Sequence, residues 1–330
     1  MSVISTEEPL VLRTGYGHNF AVAFSADGSA VGVGTAFELQ LWDVNSAVQK
    51  RVFRDHSLRS VLSLSFAANG DAVATSSDDK TIVVRRWSDD PSKKPAIGFA
   101  GHSDVVNSVR FGRNARFLCS ASDDRSVKVW DCDKKECVQT LSGHSERVLS
   151  AVLSVDDRFV FSGSYDGAIR QFDVQSGLCV WTQSDAHSYA ISCLALSHSG
   201  DMLVSGSFGL IKLWDLRTRT CTAVMGGHFH FVSAVDFSPD DSVLASASYD
   251  RYIRLFSLPT GECLSAKPEA HSQQVLSIAF APDGRRVVSG GSDGAVKIWK
   301  LISRPYSAPQ CSDAVESVGR ACDVDANGGR

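Results

Sequence analysis

Residues 232–264 read VSAVDFSPDDSVLASASYDRYIRLFSLPTGECL. Val232, Ala234, Val235 and Phe237 make a short alternating apolar run that stops at Ser238-Pro239-Asp240-Asp241. A second run, Val243-Leu244-Ala245-Ser246, leads to Tyr249-Asp250-Arg251, and a third, Tyr252-Ile253-Arg254-Leu255-Phe256, to Pro259-Thr260-Gly261. Cys263-Leu264 opens a fourth. Short stretches rich in β-branched and aromatic residues, punctuated by Pro, Gly and Asp, specify strands joined by tight turns. Four strands this short cannot bury both faces alone. Sheets of four stacked radially can, and closing the ring protects their inner edges.

The same grammar recurs along the chain. Lys128-Val129-Trp130-Asp131, Lys212-Leu213-Trp214-Asp215 and Lys297-Ile298-Trp299-Lys300 are near copies, with looser ones at Trp42, Trp87, Phe172 and Phe256. These seven aromatics are spaced by 45, 43, 42, 42, 42 and 43 residues. A second series, His18, His56, His102, His144, His187, His228 and His271, marks the same units. Seven marks of each kind predict seven repeats.

The Gly-His starts, the Asp-containing turns and the Trp-Asp ends resemble the WD-repeat family of β-propellers over about residues 10–302. The resemblance implies an all-β fold: a single seven-bladed propeller of four-stranded antiparallel blades. Unit seven ends after its third strand, at 299–302, and residues 9–13 are placed to supply its fourth, so an N-terminal strand closes the last blade. The expected organisation is an N-terminal extension at 1–8, the propeller at 9–302 and a tail at 303–330. That tail's low hydrophobicity, two prolines and Gly-Gly ending predict disorder.

The resemblance also implies a hydrogen-bonded tetrad of His, strand hydroxyl, turn Asp and Trp in each blade. Two units fit it fully: His102, Ser120, Asp124 and Trp130, and His271, Ser289, Asp293 and Trp299. Units four and six keep His144–Ser162–Asp166 and His228–Ser246–Asp250 but carry Phe172 and Phe256 in place of Trp. Unit five is one residue short, with Phe208-Gly209 where the Asp belongs, and unit one has no Asp between Gly34 and Trp42. Unit two has Asp79, while Trp87 falls two residues late, a shift that keeps the same face of a strand.

Ser, His and Asp together suggest a hydrolase, but a set that recurs, whole or in part, in five units is structural, and the chain is expected to be no enzyme. Seven of nine His occupy the periodic slot, and neither His198 nor His230 has neighbours at zinc-ligand spacing, so no metal or other cofactor is expected. Cys137, Cys179, Cys221 and Cys263 recur every 42 residues at the start of fourth strands, which predicts a small buried apolar position. Gly32-Val33-Gly34-Thr35 lacks the Lys and following helix of a phosphate loop and reads as a strand of small residues.

Composition narrows the setting. Among 330 residues, 43% are hydrophobic, enough for a real core, and 33 basic against 37 acidic residues argue against a dedicated nucleic-acid binder. Nine cysteines, an odd number, fit a reducing compartment. Residues 1–12 lack a basic start and apolar stretch, and no apolar run reaches membrane-spanning length. The chain is expected in the cytoplasm, the nucleus or both, neither secreted nor in a membrane, as a monomeric propeller inside a hetero-complex.

Function is expected at departures from the repeat, on rims that rigid sheets hold in place. One rim, carrying the turns between second and third strands and the His connections, gathers Tyr165, Tyr189, Phe208, Phe229, His230 and Tyr249, with Arg59, Asp104, Glu146 and Arg147 beside them. Aromatics exposed together would anchor a protein or peptide partner, and the neighbouring charges would read its sequence. The opposite rim gathers Lys93, Lys94, Arg113, Arg116, Lys134, Lys135, Arg158, Arg217, Arg219, Arg285 and Arg286, a face for RNA or an acidic partner, or simply a solvated one. Trp214-Asp215-Leu216-Arg217 resembles the signature by which WD-repeat substrate receptors dock on the cullin-4 ubiquitin-ligase adaptor, which gives Arg217 an alternative role.

Overall fold

The computed structural model describes residues 2–15, 17–70, 72–86 and 96–303. Seven antiparallel sheets follow one another in chain order, and we number them as blades 1–7, with blade 1 beginning at Asn19–Phe24. Blade 3 shows the plan: Val106–Phe111, Phe117–Ser122, Ser126–Asp131 and Glu136–Ser142 pair in sequence, from the inner strand at the channel to the outer strand at the perimeter. Blade 7 differs. Its third strand, Ala295–Ser303, pairs with Leu10–Arg13 at one end and Ser2–Ile4 at the other, so two N-terminal pieces share the outer position. Leu12 is fully buried opposite Val296, and Ile4 packs with Val287 and Trp299. The ring is closed by the start of the chain, as the order of the repeats predicted.

The core is divided between the blades. Each of the seven blade–blade interfaces has its own apolar cluster, such as Ala247, Ile253 and Leu255 of blade 6 against Val275, Ile278 and Trp299 of blade 7. Leu12, Val22, Val33, Val288 and Ile298 form the corresponding cluster where blade 7 meets blade 1. Close approach sets residue size here: a Cβ on Gly34 would sit 2.8 Å from the carbonyl oxygen of Val61 in blade 2. The glycine string 32–35 is thus a buried strand, Ala30–Thr35, pressed against its neighbour.

Inner strands splay apart too far for a backbone ladder, so side chains join them. Ser63 Oγ accepts from Val109 N (3.3 Å), Ser108 Oγ from Ala151 N (3.2 Å) and Ser277 Oγ from Val22 N (3.0 Å).

The periodic cysteines correct one expectation. Cys137 and Cys179 are exposed, and Cys221 and Cys263 are half-buried. Each stands opposite the repeat aromatic, just before a bulge, as Cys137 pairs with Trp130 and Gln139 with Val129. An outer strand has a sheet neighbour on one side only, so regular recurrence there carries no promise of burial. The Cys137 thiol instead donates to Gln139 O at 3.3 Å.

Trp87, the insertion at 88–95 and the tail beyond residue 303 lie outside the described residues. In blade 2 the slot of the repeat aromatic, opposite Val73, is taken by Arg85, whose guanidinium meets Asp55 at 2.5 Å.

Candidate partner-binding rim

The tetrads come first because they hold the rim turns in place. A neutral His102 donates from Nδ1 to Asp124 (2.8 Å), while the Ser120 hydroxyl donates to Nε2 (2.7 Å) and accepts the indole N–H of Trp130 (2.8 Å). Blade 7 repeats this with His271, Asp293, Ser289 and Trp299. Burial opposes charge at Asp124, but hydrogen bonds from Ser126 and His102 outweigh it and hold the carboxyl at about 2. Burial, opposed by Asp124, pushes His102 down, so the pair stays neutral imidazole beside carboxylate. Blades 4 and 6 keep the His–Ser–Asp part without the indole. Blade 2 substitutes Thr75 for the serine, with His56 at 2.8 Å.

Blades 1 and 5 depart further. In blade 1, Trp42 donates to Gln40 (3.0 Å), Gln40 to Glu38 (2.8 Å), and Arg54 to the buried Glu38 (2.8 Å), a separate polar chain that leaves His18 stacked on Phe20. In blade 5, Ser205 still bridges His187 and Trp214, but among the described residues no carboxylate meets His187. Burial and the charge of Lys212 push that imidazole down to about 4.

These turns carry the rim. The slot after the second strand holds Asp78 in blade 2 and Asp123 in blade 3, but Tyr165, Phe208 and Tyr249 in blades 4, 5 and 6. Four predicted residues form one chain of touching rings: Tyr189 to Phe208 (5.4 Å), Phe208 to His230 (5.7 Å) and His230 to Tyr249 (5.5 Å). Tyr189 is 60% exposed and Phe208 39%; His230 is exposed and Tyr249 half-buried. Phe231 props the group from beneath, edge-on to Phe208 at 5.2 Å and bridged to it through the backbone. The aromatic face therefore spans blades 5 and 6.

Other predicted residues stand apart from that chain. Tyr165 is exposed beside it and lies under the guanidinium of Arg147 (5.2 Å), which also approaches Asp123 (3.8 Å). Phe229 turns to Tyr252 (5.6 Å), and Arg254 stacks over Tyr252 at 5.0 Å. Arg59, Asp104 and Glu146 are exposed in the His connections of blades 2, 3 and 4, and Lys80 approaches Asp104 at 3.9 Å. Tyr252 and Arg254 were not legible as rim residues, because their alternation within a strand resembled ordinary core.

On the opposite rim, four of the nine described cations are paired with carboxylates. Arg116 meets Asp131 (2.9 Å), Arg158 meets Asp173 (3.4 Å), Arg286 meets Asp283 (2.8 Å) and Lys134 meets Glu136 (3.6 Å). Arg217 is exposed there, its backbone N–H capped by Asp215 at 2.8 Å. Lys93 and Lys94 lie outside the described residues. Among the described residues no group of three His, Cys, Asp or Glu is gathered to hold a metal ion, and no helix is long and apolar enough to cross a membrane.

The model of one family, described as WD domain, G-beta repeat, matches residues 47–85, 93–131, 135–173, 177–215, 219–257 and 261–300. The chain belongs to the WD40 family. Each matched WD40 repeat joins the outer strand of one blade to the three inner strands of the next, so consecutive repeats interlock. The matches begin at 47, after the blade 1 strands whose His–Asp network has been replaced. Periodic tryptophan protein 2 of Saccharomyces cerevisiae is 38% identical over 222 residues, 67% of this chain and 24% of the yeast protein. A nuclear distribution protein PAC1 of Arthroderma benhamiae is 28% identical over 80% of this chain and 50% of its own length. Apoptotic protease-activating factor 1 of Danio rerio is 24% identical over 92% of this chain and 24% of its own. This WD40 chain thus spans from about a quarter to half of the length of these three relatives.

Proposed function

We propose that the protein is a non-catalytic interaction scaffold that binds a peptide or domain partner on the rim of blades 4–6. The observation that carries this is the connected ring chain Tyr189–Phe208–His230–Tyr249, open to solvent on a closed and rigid frame. Large aromatics held still lose little entropy on binding and anchor interfaces disproportionately. The acidic and basic residues of the neighbouring connections, Asp104, Glu146, Arg147 and Arg59, would select the charge of flanking partner residues. Relatives in which the matching region is only a part of a longer protein support a presenting module within a larger assembly.

The internal pairing of Arg116, Arg158 and Arg286 makes the opposite rim a poorer candidate for RNA or an acidic partner. Arg217 remains a second reading as an adaptor-docking residue, resting on its exposure and its place in Trp214-Asp215-Leu216-Arg217. The test is affinity purification of the wild-type chain and of a Tyr189→Ala, His230→Ala double variant, with partners quantified by mass spectrometry. The double variant is expected to lose the principal partners while keeping its melting temperature. An unchanged set of partners refutes the aromatic rim, and loss only in Arg217→Ala transfers the role to the opposite rim.

A further inference from the structure

Toward the turns between first and second strands, the central channel forms a solvent-open cavity of about 440 Å³ lined by all seven inner strands. At one level of that wall, register places a single side chain from each blade. Five of the seven slots hold small or neutral residues: Ala23, Ser65, Val152, Ala195 and Ala279. The other two hold Arg110 in blade 3 and Asp236 in blade 6. Three steps is the greatest separation a seven-membered ring allows, so the two opposite charges face each other across the cavity. They stand further apart than an ion pair of 4.0 Å.

Each is tied to the surrounding strands and keeps capacity left over. Arg110 donates to Leu64 O at 3.0 Å, and its other N–H groups have no protein partner among the described residues. Asp236 accepts from Phe280 N at 2.7 Å and is held as well by the backbone N–H of Phe237. The ties themselves need no charge, since Ser65 performs the same service for Phe111 N at 3.1 Å. Burial pushes the Asp236 carboxyl up, while the backbone N–H of Phe280 and the charge of Arg110 pull it down. Opposite charges on facing walls of a channel open to solvent, Arg110 exposed and Asp236 half-buried, present one complementary end each to a dipolar ligand.

We propose that the channel cavity is a binding site for a small amino-acid zwitterion, its carboxylate held by Arg110 and its ammonium by Asp236. A guanidinium presents a planar fork that matches a carboxylate. The cavity volume suits a ligand of a few to a dozen heavy atoms plus water. The site lies on the far side of the ring from the aromatic rim, so it stands whether or not that rim binds a partner.

Isothermal titration of the full chain tests this with 4-aminobutyrate, L-lysine and glycylglycine as probes, and butyrate and butylamine as singly charged controls at matched ionic strength. At least one zwitterion is expected to saturate a single site, with both controls binding about tenfold more weakly or worse. Arg110→Met and Asp236→Asn should each weaken that binding by about tenfold or more, with Arg110→Lys, which keeps the charge but not the fork, falling between wild type and Arg110→Met. Asn keeps the acceptor for Phe280 N, so Asp236→Asn preserves the strand tie. The proposal is overturned if no zwitterion saturates, if butyrate binds as tightly as 4-aminobutyrate, or if binding survives both charge-removing variants.

Discussion

Replacing Ser120 by Ala removes one oxygen that serves two buried groups, the Nε2 of His102 at 2.7 Å and the indole N–H of Trp130 at 2.8 Å. Each orphaned buried group costs about 1–3 kcal/mol, so the variant should lose about 2–6 kcal/mol. Ser162 supplies the built-in control. It is equally buried and bonds His144 at 2.7 Å, but its blade carries Phe172, so Ser162→Ala orphans one group and should cost about 1–3 kcal/mol. Trp130→Phe leaves the Ser120–His102 bond intact. Adding Ser120→Ala in that background should then cost no more than Ser162→Ala does, a coupling that a double-mutant cycle isolates. Urea unfolding midpoints of the intact chain, followed by far-ultraviolet circular dichroism, provide the comparison. If Ser162→Ala costs as much as Ser120→Ala, or if Trp130→Phe fails to reduce the cost of Ser120→Ala, the shared-hydroxyl account of the tetrad is wrong.

Leu12→Ala empties a buried site in the closing strand and should cost about 2–5 kcal/mol, with hydrogen exchange rising first in Ala295–Ser303, to which that strand pairs. Equal protection in variant and wild type would show that closure does not depend on this strand. Arg85→Ala should cost about 3 kcal/mol, the lower end for a buried pair because Asp55 keeps some exposure, and Asp55→Asn in the same chain should recover part of it. Gly34→Ala drives a methyl to 2.8 Å from Val61 O and should lower the unfolding midpoint by the equivalent of about 1–3 kcal/mol, whereas Gly98→Ala, with open space around it, should be nearly silent.

The blade count, the closure and the four strands of each unit were legible because each follows from a repeated local signal. Apolar alternation set the strand faces, and the order of marks at the two ends left a three-stranded blade with a spare strand at the other end of the chain. What the repeat hid was anything decided by depth within a blade. The position of Cys137 and its three successors looked like core because it recurred, yet an outer strand exposes it. Arg85 occupies the aromatic slot opposite Val73, two residues before Trp87; counting two residues along a strand preserves the face but not the height along the blade. The contact of Tyr189, Phe208 and His230 was foreseen as a rim location, but their union depends on how far neighbouring connections lean together. Arg110 and Asp236 had a signal that went unread: aligned by register, inner strands show two charges in a column of small residues.

Blade 5 shows how the repeat and the rim compete. Its turn is one residue shorter than its neighbours', which removes the Asp that would meet His187 and sets Phe208 at the centre of the aromatic chain. The stability cost can be located in pH. With His187 held at about 4, against about 6.5 in an unfolded chain, the unfolded state takes up the proton first as pH falls. Stability from this group is complete above pH 6.5 and declines through 4, by about 2 kcal/mol between pH 7 and pH 5. Grafting the blade 4 turn Tyr165-Asp166-Gly167 in place of Phe208-Gly209 supplies a carboxylate like that of Asp166, which is held at about 2. The graft should flatten the loss between pH 7 and pH 5, because the new carboxylate favours the protonated imidazole, and should leave any loss of its own to lower pH. The graft keeps an aromatic ring, Tyr, in the slot of Phe208, so partner capture is tested separately by Phe208→Ala, which removes the ring joining Tyr189 to His230 and should weaken it. A grafted chain with the wild-type pH dependence would mean that the missing Asp is not what depresses His187. A Phe208→Ala chain that keeps full partner binding would mean that Phe208 belongs to the frame rather than to the binding surface.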